Sequence, residues 1–391
     1  MLLHEKAAQA EALLGETGLD CWLTFARETG ERPDPGVELV VGANVTWNSA
    51  FLFGRGLRIA IVGRYDAPTI AALGVFPEVV SYDAGIQEAL VAALRRLDPQ
   101  SIGLNYSTDD TTADGLTHGM WRLLNELLAD TPYPQRFTSA APLLARLRAR
   151  KTVSEIERIR AAIATTEEIV ALTGVQIRPG VSEAAVGDFI HQQFRQRGLG
   201  SAWEWDSCPI VNSGPASPVG HVRPSEQILI APGHLVHIDL GVRQHEYCSD
   251  IQRMWYVRRP GEDAPPPAVQ HAFDTVLRAI DASAEALRPG VRGHEIDALA
   301  RRIVVEAGYS EYMHALGHGL GRACHDGGTL LGPRWERYGA SPDGVVEAGN
   351  VFTLELGVAT EAGYVGLEED VLVTDQGCLF LSRQQRELML I

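Results

Sequence analysis

Cysteine is scarce and unpaired in this chain. The five cysteines, Cys21, Cys208, Cys248, Cys324 and Cys378, are scattered, odd in number and contain no C-x-x-C pair. That excludes a disulfide framework and a zinc knuckle and points to reduced thiols in the cytoplasm. Positive charge is also in deficit, with 34 Lys and Arg against 50 Asp and Glu and a formal net charge of −16. A nucleic-acid partner, which needs a basic surface, is therefore not expected. No segment approaches the roughly 20 apolar residues of a membrane span. The opening MLLHEKAAQAEALL has a helical period, with Glu5 and Lys6 where a signal peptide would need an apolar run. A cytoplasmic protein without membrane or nucleic-acid partners is the expectation.

The chain has 391 residues, 45% hydrophobic and 21% charged. That is enough for two ordinary globular domains. Up to about residue 145, short apolar runs at 21–25, 57–62, 79–82 and 102–104 read as strands. The stretches 87–97 and 117–128 read as amphipathic helices. This alternation predicts a small α/β domain over 1–148. A basic stretch, RLRARK, then leads into Thr152-Val-Ser-Glu-Ile, where Ser154 is placed to cap a helix running to about residue 172. The second domain is assigned to 149–391.

That second part repeats itself. IRPGV at 177–181 returns as LRPGV at 287–291, and HIDLGV at 237–242 returns as TLELGV at 353–358, at similar offsets. Two matches in the same order predict two related halves packed together. Each copy carries an acid in a strand of period two: Asp239 among Val236, Ile238 and Leu240, and Glu355 among Leu354 and Leu356. An acid inside an apolar strand is costly unless it is paired or holds a cation. A hairpin past residues 243–246 would return Asp250 beside Asp239. A second hairpin past 361–363 would return an acid beside Glu355, and spacing leaves Glu368, Glu369 and Asp370 as equal candidates.

The remaining piece is His314-Ala-Leu-Gly-His318-Gly-Leu-Gly-Arg-Ala-Cys-His325-Asp-Gly-Gly, with three histidines in twelve residues. Its glycines allow backbone to approach closely. Spacing does not choose between His314 and His318. Four carboxylates and one imidazole carry about −4 of charge, which two divalent cations would neutralise. Hard oxygen donors with one nitrogen suit Mn²⁺ and allow Co²⁺ or Zn²⁺.

These residues resemble the creatinase, prolidase and methionine aminopeptidase clan, the pita-bread metallopeptidases. The nearer likeness is to Xaa-Pro dipeptidase (prolidase) and aminopeptidase P. The resemblance begins near Lys151 and extends more loosely to the first domain, which is similar to the creatinase-type N-terminal domain. It implies an α+β chain with a duplicated, pseudo-twofold catalytic domain. It implies a metal-ligand set of Asp239 in IDLG, Asp250 in CSDIQR, His318 in HALGHGLG, Glu355 in FTLELG and Glu369 in LEEDVLVT. It makes His221 and His325 catalytic helpers that also touch substrate, with Glu355 as proton shuttle, and it places His314 in the substrate pocket. A hydroxide bridging the two cations would attack the scissile carbonyl of an Xaa-Pro dipeptide. Arg334 or Arg337, in GPRWERYG, is the candidate cation for the substrate's free carboxylate, with Arg334 the one assigned. A homodimer is implied as well. Aminopeptidase P activity on longer peptides is the nearest alternative, and a catalytically silent peptide-binding protein is another. Two departures stand out: Leu356 replaces the family's usual proline, and Leu367 occupies the place of an arginine two residues before the last glutamate, counted from Glu369.

Overall fold

A computed structural model of the chain describes residues 1–220 and 222–391. They form two compact units, Met1–Arg148 and Ala149–Ile391.

The first unit is built on a six-stranded sheet: β1 (Cys21–Ala26), β2 (Ser49–Gly54), β3 (Leu57–Gly63), β4 (Glu78–Tyr82), β5 (Ile102–Leu104) and β6 (Phe137–Ser139). Their spatial order is β4-β3-β2-β1-β5-β6. Alternate residues of β1 to β3 bury on opposite faces. Trp22, Phe51, Phe53, Ala60 and Val62 join one apolar cluster with α1 (Leu2–Thr17). Cys21, Leu23, Leu52, Ile59 and Ile61 join another with α2 (Gln87–Leu97) and α3 (His118–Leu127). A sheet covered on both faces explains why these strands read as unbroken apolar runs.

The second unit opens with α4 (Val153–Gly174). Its cap is Thr152 rather than Ser154. Thr152 Oγ1 accepts from the Glu155 backbone N–H, and Glu155 Oε2 accepts from the Thr152 N–H at 2.8 Å. Thr-Val-Ser-Glu satisfies the S/T-x-x-E capping box only when counted from Thr152.

The duplication is visible in hydrogen bonds. After each Arg-Pro-Gly-Val a helix follows, α5 (Glu183–Arg197) and later α7 (Gly293–Glu306), with α6 (Pro267–Ala286) between them. Gly180 and Gly290 both take positive φ, 88° and 92°. The Gly180 N–H donates to Ile230 O, and that of Ile230 to Val181 O. In the second copy Gly290 donates to Val346 O and Val346 to Val291 O.

The main sheet of this unit contains β7 (Ile210–Ser213), β8 (Leu235–Leu240), β9 (Ile251–Tyr256), β10 (Val351–Thr360) and β11 (Gly363–Thr374). Their order is β10-β11-β9-β8-β7, every neighbouring pair antiparallel. On one face, Val236, Ile238, Leu240 and Ile251 bury against residues of α4 and α5. Leu354, Leu356, Val365, Leu367 and Val371 bury against residues of α6 and α7. Period two leaves the alternate residues of these strands for the other face.

Candidate metal centre

Register decides what meets on that other face. Asp239 is opposite Gln252, Gln252 is opposite Glu368, and Glu368 is opposite Glu355. Directly opposed residues of antiparallel strands share a face, so these four side chains form one row across four strands. Asp250 lies just beyond the pairing of Leu240 with Ile251, returned beside Asp239 by the predicted hairpin. Its backbone N–H donates to Asp370 Oδ2 at 3.2 Å.

His318 arrives from the glycine-rich segment, which lies along the free edge of β10. The Glu355 N–H donates to Leu316 O at 2.7 Å, Thr353 N–H to His318 O at 3.0 Å, and Leu320 N–H to Val351 O at 3.0 Å. A Cβ at Gly317 would lie 2.0 Å from Thr353 O, so only glycine permits this approach. The segment is anchored upstream by a buried pair on α7. Arg301 pairs with Asp297 at 2.6 Å and donates to the carbonyls of Tyr312 and His314, while Asp297 Oδ1 accepts from the Leu316 N–H. His318 Nε2 thereby comes to 3.7 Å from both Asp250 Oδ2 and Glu355 Oε1.

The electrostatics are unfavourable without a cation. Asp250, Glu368 and Asp370 are buried. Burial pushes Asp239, Asp250 and Glu368 each well above the usual carboxylate range; the charge of Glu355 adds to all three, that of Asp239 lifts Asp250 and Glu368 further, and a hydrogen bond with Asp250 opposes the rise at Asp239. Burial also lifts Asp370, and the hydrogen bond from the Asp250 N–H opposes it. Burial and the neighbouring His325 lower His318 to about 3, leaving a neutral imidazole with a lone pair to offer. Asp239 Oδ1, Asp250 Oδ1, Glu368 Oε1 and Asp370 Oδ1 are all buried without a hydrogen-bond partner. Such orphaned acceptors are expensive. One donor atom each from Asp250, His318 and Glu368 lies within 4.8 Å of the others. Hard oxygens with one nitrogen at this spacing fit a divalent cation.

The ligand expected at Glu369 is corrected to Glu368. Glu369 is opposite Leu354, not Glu355. It faces away, with Leu367 and Val371, and is held by Arg253 at 3.0 Å, Ser382 Oγ at 2.5 Å and the Gln385 N–H at 3.0 Å. A shift of one residue moves a strand side chain to the opposite face. The departure noted at Leu367 moves with it. Two residues before Glu368 is Gly366, where a Cβ would lie 2.8 Å from Gln252 Oε1 and 2.9 Å from His237 Nε2.

The other expected residues divide. His325 is exposed, its ring perpendicular to that of His318 at 4.3 Å between centroids. His314 is part-buried, its Nδ1 2.8 Å from Ala315 O, on the segment that leads to His318. Arg334 is exposed and tied to Asp343 at 2.6 and 2.8 Å, so it does not stand ready for a substrate carboxylate. His221 lies outside the described residues.

Sequence reasoning passed over two contributors. Gln252 sits in the middle of the row, and the signal for it was its place on the polar face two residues after Asp250. Cys324 brings its Sγ to 2.9 Å from Asp250 Oδ2, buried beside His318. Nothing in a lone cysteine announces that contact.

The chain is similar to proteins of known family and fold. The profile of Metallopeptidase family M24 matches residues 157–375. An uncharacterised peptidase of Staphylococcus haemolyticus is 32% identical over 242 residues, 61% of this chain. That match covers 64% of the relative's length, less than two thirds. Among solved structures, an Xaa-Pro dipeptidase from Bacillus anthracis superposes with a TM-score of 0.75 at 27% identity over 100% of both chains. An X-Pro aminopeptidase from Thermotoga maritima gives 0.74 at 26% identity over 98% of this chain and 100% of its own. The expected α+β fold with a duplicated pita-bread unit is thereby found. Among the described residues, no helix is long and apolar enough to cross a membrane.

Proposed function

The chain belongs to metallopeptidase family M24, and on that premise we propose that it hydrolyses Xaa-Pro dipeptides at a pair of divalent cations. Asp239, Asp250, His318, Glu355 and Glu368 would hold the pair. The observation that carries this reading is the convergence of buried, unpartnered carboxylate oxygens on one neutral imidazole. Bound cations would acidify a water and polarise the scissile carbonyl.

The chain's own groups would do the rest. Glu355 is the most accessible of the row's two glutamates, its side chain 22% exposed, which suits it to pass a proton from the attacking water to the departing proline nitrogen. His325, exposed beside His318, would donate to a developing oxyanion. His221 is the second imidazole assigned to substrate, and His314 lines the approach. Manganese is the metal assigned, in a cytoplasmic homodimer, with cobalt or zinc as substitutes.

Assay of the purified chain on Ala-Pro tests the proposal. Chelation should abolish cleavage and added Mn²⁺, Co²⁺ or Zn²⁺ should restore it, with metal analysis giving two ions per chain. Preference for an Xaa-Pro-Xaa tripeptide would convert the reading to aminopeptidase P, an activity named for the Thermotoga maritima structure. Metal binding without cleavage of either peptide would leave only a peptide-binding protein.

A further inference from the structure

Gln252 is the one uncharged member of the carboxylate row. It is 5% exposed, so its amide must find partners within the protein. Its Nε2 lies 3.1 Å from Glu355 Oε2 and 3.1 Å from Glu368 Oε2. A primary amide has two N–H donors and one carbonyl. With one N–H directed at each glutamate, the carbonyl is left to accept from His237 Nε2, 2.9 Å away. His237 is buried, and a neutral imidazole has one N–H, which this arrangement gives to Gln252 Oε1, while its Nδ1 lies 3.1 Å from the side-chain amide of Asn212.

This arrangement divides each glutamate in two. Oε2 of both is tied to the same amide. Oε1 of Glu368 has no hydrogen-bond partner, and Oε1 of Glu355 lies 3.7 Å from His318 Nε2. We infer that Gln252 is a positioning residue that clips Glu355 and Glu368 together and turns Oε1 of each toward the Asp250 and His318 side, where the cations would sit. The inference rests on the metal centre proposed above. A cation at this position in the row would compete with the metals, and an anion would add to the repulsion. A neutral donor avoids both.

Gly366 makes room for the clip. A Cβ there would lie 2.8 Å from Gln252 Oε1, 2.9 Å from His237 Nε2 and 2.6 Å from Tyr364 Cε1. Both Gln252 Oε1 and His237 Nε2 belong to the hydrogen bond that orients the amide. The absence of a side chain at 366 and the presence of an amide at 252 are therefore two parts of one device.

The test is Gln252→Met, which keeps length and removes both N–H groups, measured in the full chain against wild type. Titration calorimetry with Mn²⁺ should show the weaker of two binding events loosened about 10–100-fold, the scale of lost partners around metal ligands. On Ala-Pro, kcat should fall while KM changes by less than about threefold, because the clip orients groups rather than binding substrate. The chelated variant should melt close to the chelated wild type. Gly366→Ala provides a second reading if Gln252→Met folds poorly, and its Mn²⁺ affinity should fall in the same direction. Wild-type affinity and kcat in Gln252→Met, or in Gly366→Ala where the first variant is unfolded, would overturn the inference alone. A wild-type chain that binds no cation would sink the metal centre itself, which separates the two failures.

Discussion

Glu355 and Glu368 stand directly opposite each other across the ladder of β10 and β11, and both reach the amide of Gln252 at 3.1 Å. Two like charges in directly opposed strand positions destabilise a sheet. Here Asp239 and Asp250 add to the repulsion that lifts Glu368. The fold tolerates this row because the helix-covered face buries an apolar cluster on each half, with its charged pair, Arg253 and Glu369, closed on itself. The binding energy of cations would offset the cost.

Glu368 and Glu369 should fail in different ways. Glu368→Gln is expected to reduce metal content below two ions per chain and to cut turnover by more than roughly 100-fold, beyond the loss typical of partners outside the ligand set. Glu369→Gln leaves the buried Arg253 without its carboxylate and should cost about 3–5 kcal/mol of stability, while the folded variant keeps its metal. Metal analysis and denaturant unfolding of both variants check this. Metal loss confined to Glu369→Gln would refute the assignment.

Cation stabilisation should grow with pH. The carboxyls of Asp239, Asp250, Glu368 and Asp370 have folded pKa values raised above their unfolded ones. The stability they contribute is therefore present at low pH and is lost as pH rises from about 4 through those raised values. Protons and cations compete for the same oxygens. The difference in melting temperature between Mn²⁺-loaded and chelated protein should widen from about pH 5 to about pH 8. A difference that stays level, or narrows, would contradict the site's electrostatics.

Gly317→Ala should move His318. The added Cβ would meet Thr353 O at 2.0 Å, so the segment must withdraw from the edge of β10. The expected cost is about 1–3 kcal/mol of stability. A shift of about 1 Å in His318 should lower kcat by roughly 100-fold. Kinetics with excess Mn²⁺ distinguish this from simple metal loss, since the deficit should persist.

Arg301→Met should release the same segment from the other side. The guanidinium holds Asp297 and the carbonyls of Tyr312 and His314. Removing it strands a buried carboxylate at a cost of about 3–5 kcal/mol. Thermal melting should fall, and activity measured well below the melting point should still be reduced. Full activity there would show that the pair supports the helix and not the histidine.

Much of the centre was legible in local pattern. Alternating apolar residues around Asp239 and Glu355 announced strands with an acid on the polar face, and the recurrence of Arg-Pro-Gly-Val announced two halves. The same alternation held the answer at the last glutamate. Val365, Leu367, Val371 and Val373 share the apolar face, which puts Glu369 among them and Glu368 on the other side. The family resemblance, taken one residue out of step, overrode that signal. The strand Ser49–Gly54 went unread for the opposite reason: with both faces buried, an apolar run has no period to detect.

The sequence by itself determined which residue types were available, their period, and the duplication that brings two acid-bearing strands into one sheet. These are local properties, set by side-chain alternation and turn chemistry. Tertiary structure alone decided that Gln252 spans two glutamates and that Arg253 claims Glu369. Such pairings depend on register between strands distant in the chain, and register is chosen by how well whole faces bury, not by the residues that happen to meet.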